Sequence, residues 1–540
     1  MDIEGFRKAG YQAVDRICDY YYSLEKRPVL PPVQPGFLSK SIPDQAPEEG
    51  EEWVRIEDDY QNVIMPGITH WQHPNFYAYF PCNASFEGAL ADLHCAAISN
   101  PGFNWSCSPS VTELEILMMD WIAKMLGFND DFLSTSSSGK GGGIILGSAS
   151  EVTLTVAIAA RERAISDLSR HFPPPNDDMR ANGHSQGGEE ERSPDQANAR
   201  LADWRGKLTS KLVMYGTTQT HSVGAKAALI LGLNFRALEV KAEDAYALRG
   251  ETLKRAIEED KAEGRLPFLL VASLGTTSSG AVDNLTEIAQ VASLHPELWL
   301  HVDSAYAGVA LSLPEEREAS HLDAINGSFD SFSTNLHKWG LVQFDCSPLL
   351  VRDRGNLSRA LTVTPEFLRT KEGDSGSVLD LRNLQIPLGR RFRSLKVWFV
   401  LRSYGLQGFR DHLRRTMSLS RVFESCLIQE PDFEIVAPPR WAMVVFRLNP
   451  ASNGSGGGDV NGRSKTNEGL EKLNRELWEE LEKRKSELLL TQTVLPEVGF
   501  CIRFVVGSPQ TRENHVRQAW NVVYECGRKV LEGNGLSLKP

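Results

Sequence analysis

The chain has 540 residues, 41% of them hydrophobic and 24% charged, which is ordinary globular usage and excludes a wholly disordered or fibrous protein. It is long enough to bury a large core without a disulfide or metal staple, and no metal is expected. A net charge of -12 leaves no broad basic face for a phosphate backbone, so nucleic acid is not an expected partner. None of the eight cysteines forms a C-x-x-C pair, which argues against a zinc ribbon or a redox motif. The first residues, Met1-Asp-Ile-Glu-Gly-Phe-Arg-Lys8, lack the apolar block of a secretory signal. No run of about 18 apolar residues occurs, so no membrane span is expected. The expected address is the cytoplasm, with reduced cysteines.

Phe6, Gly10, Ala13, Ile17 and Tyr21 recur at helical spacing and predict a helix over 1–24. Pro28, Pro31, Pro32 and Pro35 then break it into an extended arm. Such a segment has little to bury against alone, so it should wrap the main body or a second subunit. Residues 111–127 predict another helix. Thr112 with Glu115 fits a capping box, and Leu114, Leu117, Met118, Trp121, Ile122 and Met125 would form its apolar face.

The glycine-rich stretch Ser138-Gly-Lys-Gly-Gly-Gly143 fails the nucleotide motifs. A P-loop would need glycine at Ser134 and Ser or Thr at Gly141, and a dinucleotide fingerprint would need glycine at Leu146. A nucleotide-binding protein is therefore a remote alternative, and a flexible loop is the plain reading. Gly147-Ser-Ala-Ser-Glu151 follows and opens a long helical pattern. Small hydroxyl residues at a helix start either cap the helix or offer N–H groups to an anion. Residues 171–200 and 449–468 are polar enough to read as mobile insertions. Residues 211–215, 268–272 and 298–302 read as strands. Near-continuous apolar strands alternating with helices predict an α/β fold with a parallel sheet covered on both faces.

Asp303 closes the last of these strands, where ligands of such sheets usually bind. Lys338 stands 35 positions later, beside His337. Alone, each has a bland explanation, a helix cap or a surface lysine. Together with the loop at 147–151 they are the parts a pyridoxal phosphate site needs. The phosphate needs N–H donors, the pyridine nitrogen a carboxylate, and the aldehyde a lysine for its Schiff base.

The chain also resembles the aromatic L-amino acid decarboxylases, the group II pyridoxal phosphate decarboxylases, over nearly its whole length outside the two insertions. The matching blocks include His73-Pro-Asn-Phe-Tyr-Ala-Tyr-Phe-Pro81, Gly147–Glu151, Leu274-Gly-Thr-Thr277, His301-Val-Asp-Ser-Ala-Tyr-Ala307, His337-Lys-Trp339 with Phe344-Asp-Cys346, and residues 385–396. The resemblance implies a fold-type I homodimer: an N-terminal helical clasp (1–85), a large cofactor domain (86–382) with a mainly parallel seven-stranded sheet, and a small α+β C-terminal domain (383–540). It implies that Lys338 carries the cofactor and that Asp303 faces the pyridine nitrogen. Ser148, Ala149 and Ser150 would form the phosphate loop, with Asn335 nearby and His337 among the cofactor contacts. Thr277 and Ala305 would neighbour the ring, and His221 would stack on it. Trp71, Tyr79, Phe80, Pro81, Cys82 and Phe103 would wall the aromatic pocket.

Three departures from the family pattern stand out. Leu336 replaces a proline and Cys82 a threonine. In the segment that carries the family's proton-donating tyrosine, the matching residue is Phe367. A phenyl ring has no acidic proton, so the expected products divide. They are an aromatic amine and CO2, or an aldehyde with CO2, ammonia and hydrogen peroxide as in the aromatic acetaldehyde synthases. Gly376 lies where pocket depth is tuned, which leans toward tryptophan over tyrosine, DOPA or phenylalanine. A catalytically dead scaffold is opposed by the joint presence of Lys338, Asp303 and His221.

Overall fold

The computed structural model describes residues 1–170, 194–450 and 467–536. Most of the two expected insertions lies outside them. Their described C-terminal ends are helical: residues 194–200 open the helix Pro194–Thr209, and residues 467–468 open the helix Asn467–Glu482. The chain divides into two units, Ala84–Asp411 and Met1–Asn83 with His412–Pro540.

The unit Ala84–Asp411 is built on seven strands: β1 (Gly142–Leu146), β2 (Leu212–Thr217), β3 (Asn234–Leu238), β4 (Leu266–Ser273), β5 (Trp299–Asp303), β6 (Ser331–Ser333) and β7 (Ser347–Val351). They lie in the order β1-β7-β6-β5-β4-β2-β3. β3, β2, β4, β5 and β6 are parallel, as the apolar runs of β2, β4 and β5 predict; β3 and β6 are too polar or too short to be read that way. β7 is antiparallel to both β6 and β1, so β1 points the same way as β6. Six of the carboxyl ends therefore share one edge. Ile144, Leu146, Met214, Leu269, Val271, Trp299 and Leu349 pack in one core with Val152, Val156 and Ala160 of the helix Ala149–Ser169. Each such large side chain, fully buried, contributes about 1.5–3 kcal/mol.

The predicted helix at 111–127 forms as Pro109–Leu126, but with a different start and face. Ser108 is its N-cap residue and Pro109 opens it, where a missing N–H costs nothing. Thr112 and Glu115 form no capping box; both are buried inside the helix. Met118, Met119, Ile122, Ala123, Met125 and Leu126 face the core, while Leu117 and Trp121 are exposed. The apolar count misplaced the face because the inward side also carries Glu115 and Asp120, which find partners elsewhere in the fold.

The other unit holds a four-stranded antiparallel sheet, β10-β11-β9-β8, from β8 (Phe433–Ile435), β9 (Met443–Leu448), β10 (Thr491–Leu495) and β11 (Gly499–Val505). Phe423 stacks on Phe504 at 3.8 Å, and Trp520 of the helix Glu513–Gly533 meets Phe423 edge-on. The chain's early residues join this sheet: Tyr77 N–H donates to the Leu489 carbonyl and Val505 N–H to the Tyr77 carbonyl. The N-terminal helix, Ile3–Ser23, forms as predicted and buries none of its residues. No described helix is long and apolar enough to cross a membrane.

Candidate active site

The carboxyl edge of the large sheet carries a row of residues in strict register. Ser273 of β4 pairs with Asp303 of β5, which pairs with Ser333 of β6. Asp303 is buried, and its Oδ1 accepts from Ala305 N–H at 3.1 Å. Ala305 in turn receives Asn335 N–H on its carbonyl at 3.0 Å. The chain thus leaves β5 and β6 through linked turns. Asn335 starts the short helix Leu336–Trp339, and Lys338 N–H returns to the Asn335 carbonyl at 3.1 Å. Asp303 and Lys338 are 35 positions apart in sequence, yet Asp303 pairs with Ser333, only five residues before Lys338.

Thr277, half-buried, sits on the turn after β4. That turn is closed by Gly275 and Thr276 N–H groups on the Ala281 carbonyl, and Gly275 adopts φ +89°, open to glycine. The buried Asp283 carboxylate accepts Ser273 N–H at 2.7 Å and Leu248 N–H at 2.8 Å, and burial pushes its pKa up to about 6. His221 follows β2. The residue is partly open to solvent, yet partial burial lowers its pKa; Asp303 opposes the shift and Lys338 adds to it. The charges of Asp303 and Lys338 thus both reach His221. His337 is held near pKa 4 by burial first and then by the charge of Lys338, and its Nδ1 accepts Cys346 N–H at 2.9 Å. It is a buried, neutral anchor.

At β1, Ser148 caps the helix Ala149–Ser169, its Oγ accepting Glu151 N–H at 3.2 Å while Glu151 Oε2 takes Gly147 N–H at 2.8 Å. The N–H groups of Ala149 and Ser150 lie in the first turn, where no intrahelical acceptor exists. An anion suits this place electrostatically.

These features fit pyridoxal phosphate. The carboxylate at the end of β5, the lysine on the short helix that follows β6 and the helix start after β1 belong to one sheet edge. Asn335 Oδ1 is buried without a hydrogen-bond partner among the described residues, an orphan that a bound group would satisfy.

Other expected residues stand apart from this row. Phe367 is 81% exposed on the turn Glu366–Leu368. Gly376 adopts φ +70° and donates its N–H to the Gly373 carbonyl just after the helix Lys371–Asp374. A glycine is required there by the backbone itself, so its small size has an explanation besides pocket depth. Phe103 is half-buried. Trp71, Tyr79, Phe80, Pro81 and Cys82 belong to the other unit. There Trp71 stacks on Tyr79 at 5.6 Å, and Phe80 lies under the Arg503 guanidinium at 4.7 Å. Tyr79 holds φ +57°, a costly backbone state pinned by Thr491 Oγ1 and Arg503.

Sequence reasoning assigned no role to two charged groups beside the site. Arg390 and Glu115 form a fully buried ion pair, and Glu115 Oε1 also accepts Ile145 N–H of β1. Asp345 is gripped by Arg391 at 2.7 Å and Arg393 at 2.9 Å. The usable signal was three arginines within residues 390–393, more positive charge than a buried segment holds without acids elsewhere.

A family model described as the pyridoxal-dependent decarboxylase conserved domain matches residues 35–182 and 194–449. The aromatic-L-amino-acid decarboxylase of Bos taurus is 40% identical, covering 99% of this chain and 98% of that protein. The phenylacetaldehyde synthase of Arabidopsis thaliana is 39% identical, over 98% and 97% respectively. Among solved structures, Oryza sativa TDC with PLP and tryptamine superposes with TM-score 0.85 at 35% identity, over 98% of this chain and 99% of that one.

Proposed function

The chain belongs to the pyridoxal-dependent decarboxylase family, an enzyme family whose cofactor is pyridoxal phosphate, and from that premise we propose that it removes the carboxylate of an aromatic L-amino acid as CO2 to leave the amine. The observation that carries this reading is the pairing of Asp303 with Ser333, the end of the strand that leads directly into the short helix bearing Lys338, with the capped helix start of Ser148 at the same sheet edge. When bound, pyridoxal phosphate supplies an electron sink for the electrons released as CO2 departs.

The chain's own residues divide the remaining work. Lys338 holds the cofactor's aldehyde and exchanges protons at Nζ. The Asp303 carboxylate holds a proton on the pyridine nitrogen. N–H groups of Ala149 and Ser150, with Ser148, Asn335 and His337, take the phosphate side. Thr277, Ala305 and the uncharged His221 ring confine the reacting group. By the family resemblance, Trp71, Tyr79, Phe80, Pro81, Cys82 and Phe103 would be the residues that meet the substrate's side chain. Gly376 supports tryptophan weakly, since its φ of +70° already demands glycine.

A second reading rests on Phe367, which offers no proton to Cα. Amino acid, O2 and water would then give aldehyde, CO2, ammonia and hydrogen peroxide. The relatives fall on both sides: one is named a decarboxylase, another a phenylacetaldehyde synthase. Incubating the holoenzyme with tryptophan, tyrosine, DOPA and phenylalanine, with and without oxygen, decides between them. Amine equal to CO2 and indifferent to oxygen supports the first reading. Aldehyde and peroxide that track CO2 and vanish without oxygen support the second. No CO2 from any of the four defeats both.

The working unit is a homodimer on this reading. Ile3, Phe6, Tyr11, Val14 and Ile17 leave the N-terminal helix with an exposed apolar face, and a second copy of the chain is the cover it needs. A monomer in sedimentation would refute this.

A further inference from the structure

We infer that Asp345, gripped by Arg391 and Arg393, is a positioning residue that sets the phosphate loop Gly147–Ser150 in register with the Lys338 segment; the inference rests on the reading of those two segments given above. Leu146, the last residue of β1, pairs with Ser347, the first of β7. The residues just outside this pair, Gly147 on one side and Asp345-Cys346 on the other, are thereby forced together. A Cβ placed on Gly147 would lie 2.9 Å from Asp345 Oδ2, 3.2 Å from Glu151 Oε2 and 3.3 Å from Arg393 Nη2, so the ion pair fills the space where a side chain at 147 would begin. On its far side the same segment holds His337, the residue directly before the lysine: Cys346 N–H donates to His337 Nδ1 at 2.9 Å, and Phe344 meets the His337 ring at 4.8 Å. Three consecutive residues therefore contact both halves of the cofactor cradle.

The ion pair is built for this and is not an ordinary surface bridge. The Asp345 and Arg393 side chains are only 15% and 13% exposed. Burial pushes the Asp345 carboxyl up, but the Arg393 hydrogen bond and the charges of Arg393 and Arg391 outweigh it and keep the group ionised. A carboxylate beside a phosphate loop is electrostatically unfavourable for the phosphate. Its presence makes sense as a fastener for two guanidinium groups and the glycine turn, which gives the inference a sign of its own. If charge alone mattered, Asp345→Asn would free positive charge and tighten phosphate binding. If position matters, the same change loosens it.

The test titrates the full chain, freed of cofactor, with pyridoxal phosphate and separately with pyridoxal, following tryptophan fluorescence. Asp345→Asn should raise the Kd for pyridoxal phosphate by about 10-fold, the scale of a lost supporting contact. The Kd for pyridoxal, which has no phosphate, should stay within about twofold of wild type. Asp345→Glu should recover part of the loss, and Arg393→Lys should fall between. An unchanged or lower Kd for pyridoxal phosphate overturns the inference. So does an equal loss for both ligands, because that marks general damage to packing. Lys338→Ala run in parallel tests the underlying reading by itself: if it keeps the absorbance at roughly 420 nm, characteristic of the bound aldehyde, the lysine is misassigned whatever Asp345 does.

Discussion

The carboxyl edge of the large sheet and the segment 362–380 carry different halves of the proposed chemistry, and they are built differently. Asp303 is buried, its neighbours fixed by strand register on both sides. Phe367 stands on a single turn and is 81% exposed. A group that must face one atom of a cofactor is placed where the sheet leaves no freedom. A group that only decides how the reaction ends can sit where little else depends on it. Substitutions in the first region should therefore remove activity, and those in the second should redirect it.

The comparison breaks most sharply at Lys338. Lys338→Ala should lower CO2 release by at least about 10³-fold, and turnover that survives would show that the edge is not the reacting site. Asp303→Asn keeps the shape and removes the charge. It should cost about 10²–10³-fold in kcat while the melting temperature barely moves. In the segment 362–380 the expected effect is of another kind. Phe367→Tyr should shift the amine-to-aldehyde ratio by about 10²-fold toward amine, with total CO2 release changed far less. An unchanged ratio would remove Phe367 from the mechanism.

The smallest expected effect concerns stability beneath the edge. His301 is fully buried between Ser331 Oγ at 2.9 Å and Ser333 Oγ at 3.3 Å, and burial lowers its pKa to about 4 from an ordinary 6.5. Above pH 6.5 both the folded and unfolded forms are neutral and the contribution is complete. As pH falls toward 4, the unfolded chain takes up a proton that the folded chain refuses. The loss approaches roughly 3 kcal/mol at about pH 4. Urea midpoints at pH 7.5 and pH 5 should show the decline, and His301→Gln should reduce it, leaving the share of His337, which burial lowers in the same way.

Much of this was legible in the sequence. The strands at 212–217, 266–273 and 299–303 announced themselves as unbroken apolar runs, because a strand covered on both faces has no polar side to alternate with. The reversal of β7 was not legible, since an apolar run has no direction. The face of the helix Pro109–Leu126 was misjudged for a related reason. Asp120 turns inward because Ser134 N–H and Thr135 N–H meet its carboxylate, and Glu115 because Arg390 lies 275 positions away in the chain. Hydrophobic periodicity cannot foresee partners that far off. In the site, Asp303 and Lys338 could be named from residue type and order. That Asp345 fills the space beside Gly147 required the pairing of β1 with β7.

The exposure of Phe367 also bears on how such an enzyme changes over generations. A side chain that packs on little can be exchanged at little cost to stability. Phenylalanine and tyrosine codons differ by a single base. On the reading proposed above, one point mutation separates an amine-forming lineage from an aldehyde-forming one, with no intermediate that folds poorly. Selection can then cross between the two products repeatedly, and overall similarity will be a poor guide to which side of the crossing a given sequence occupies.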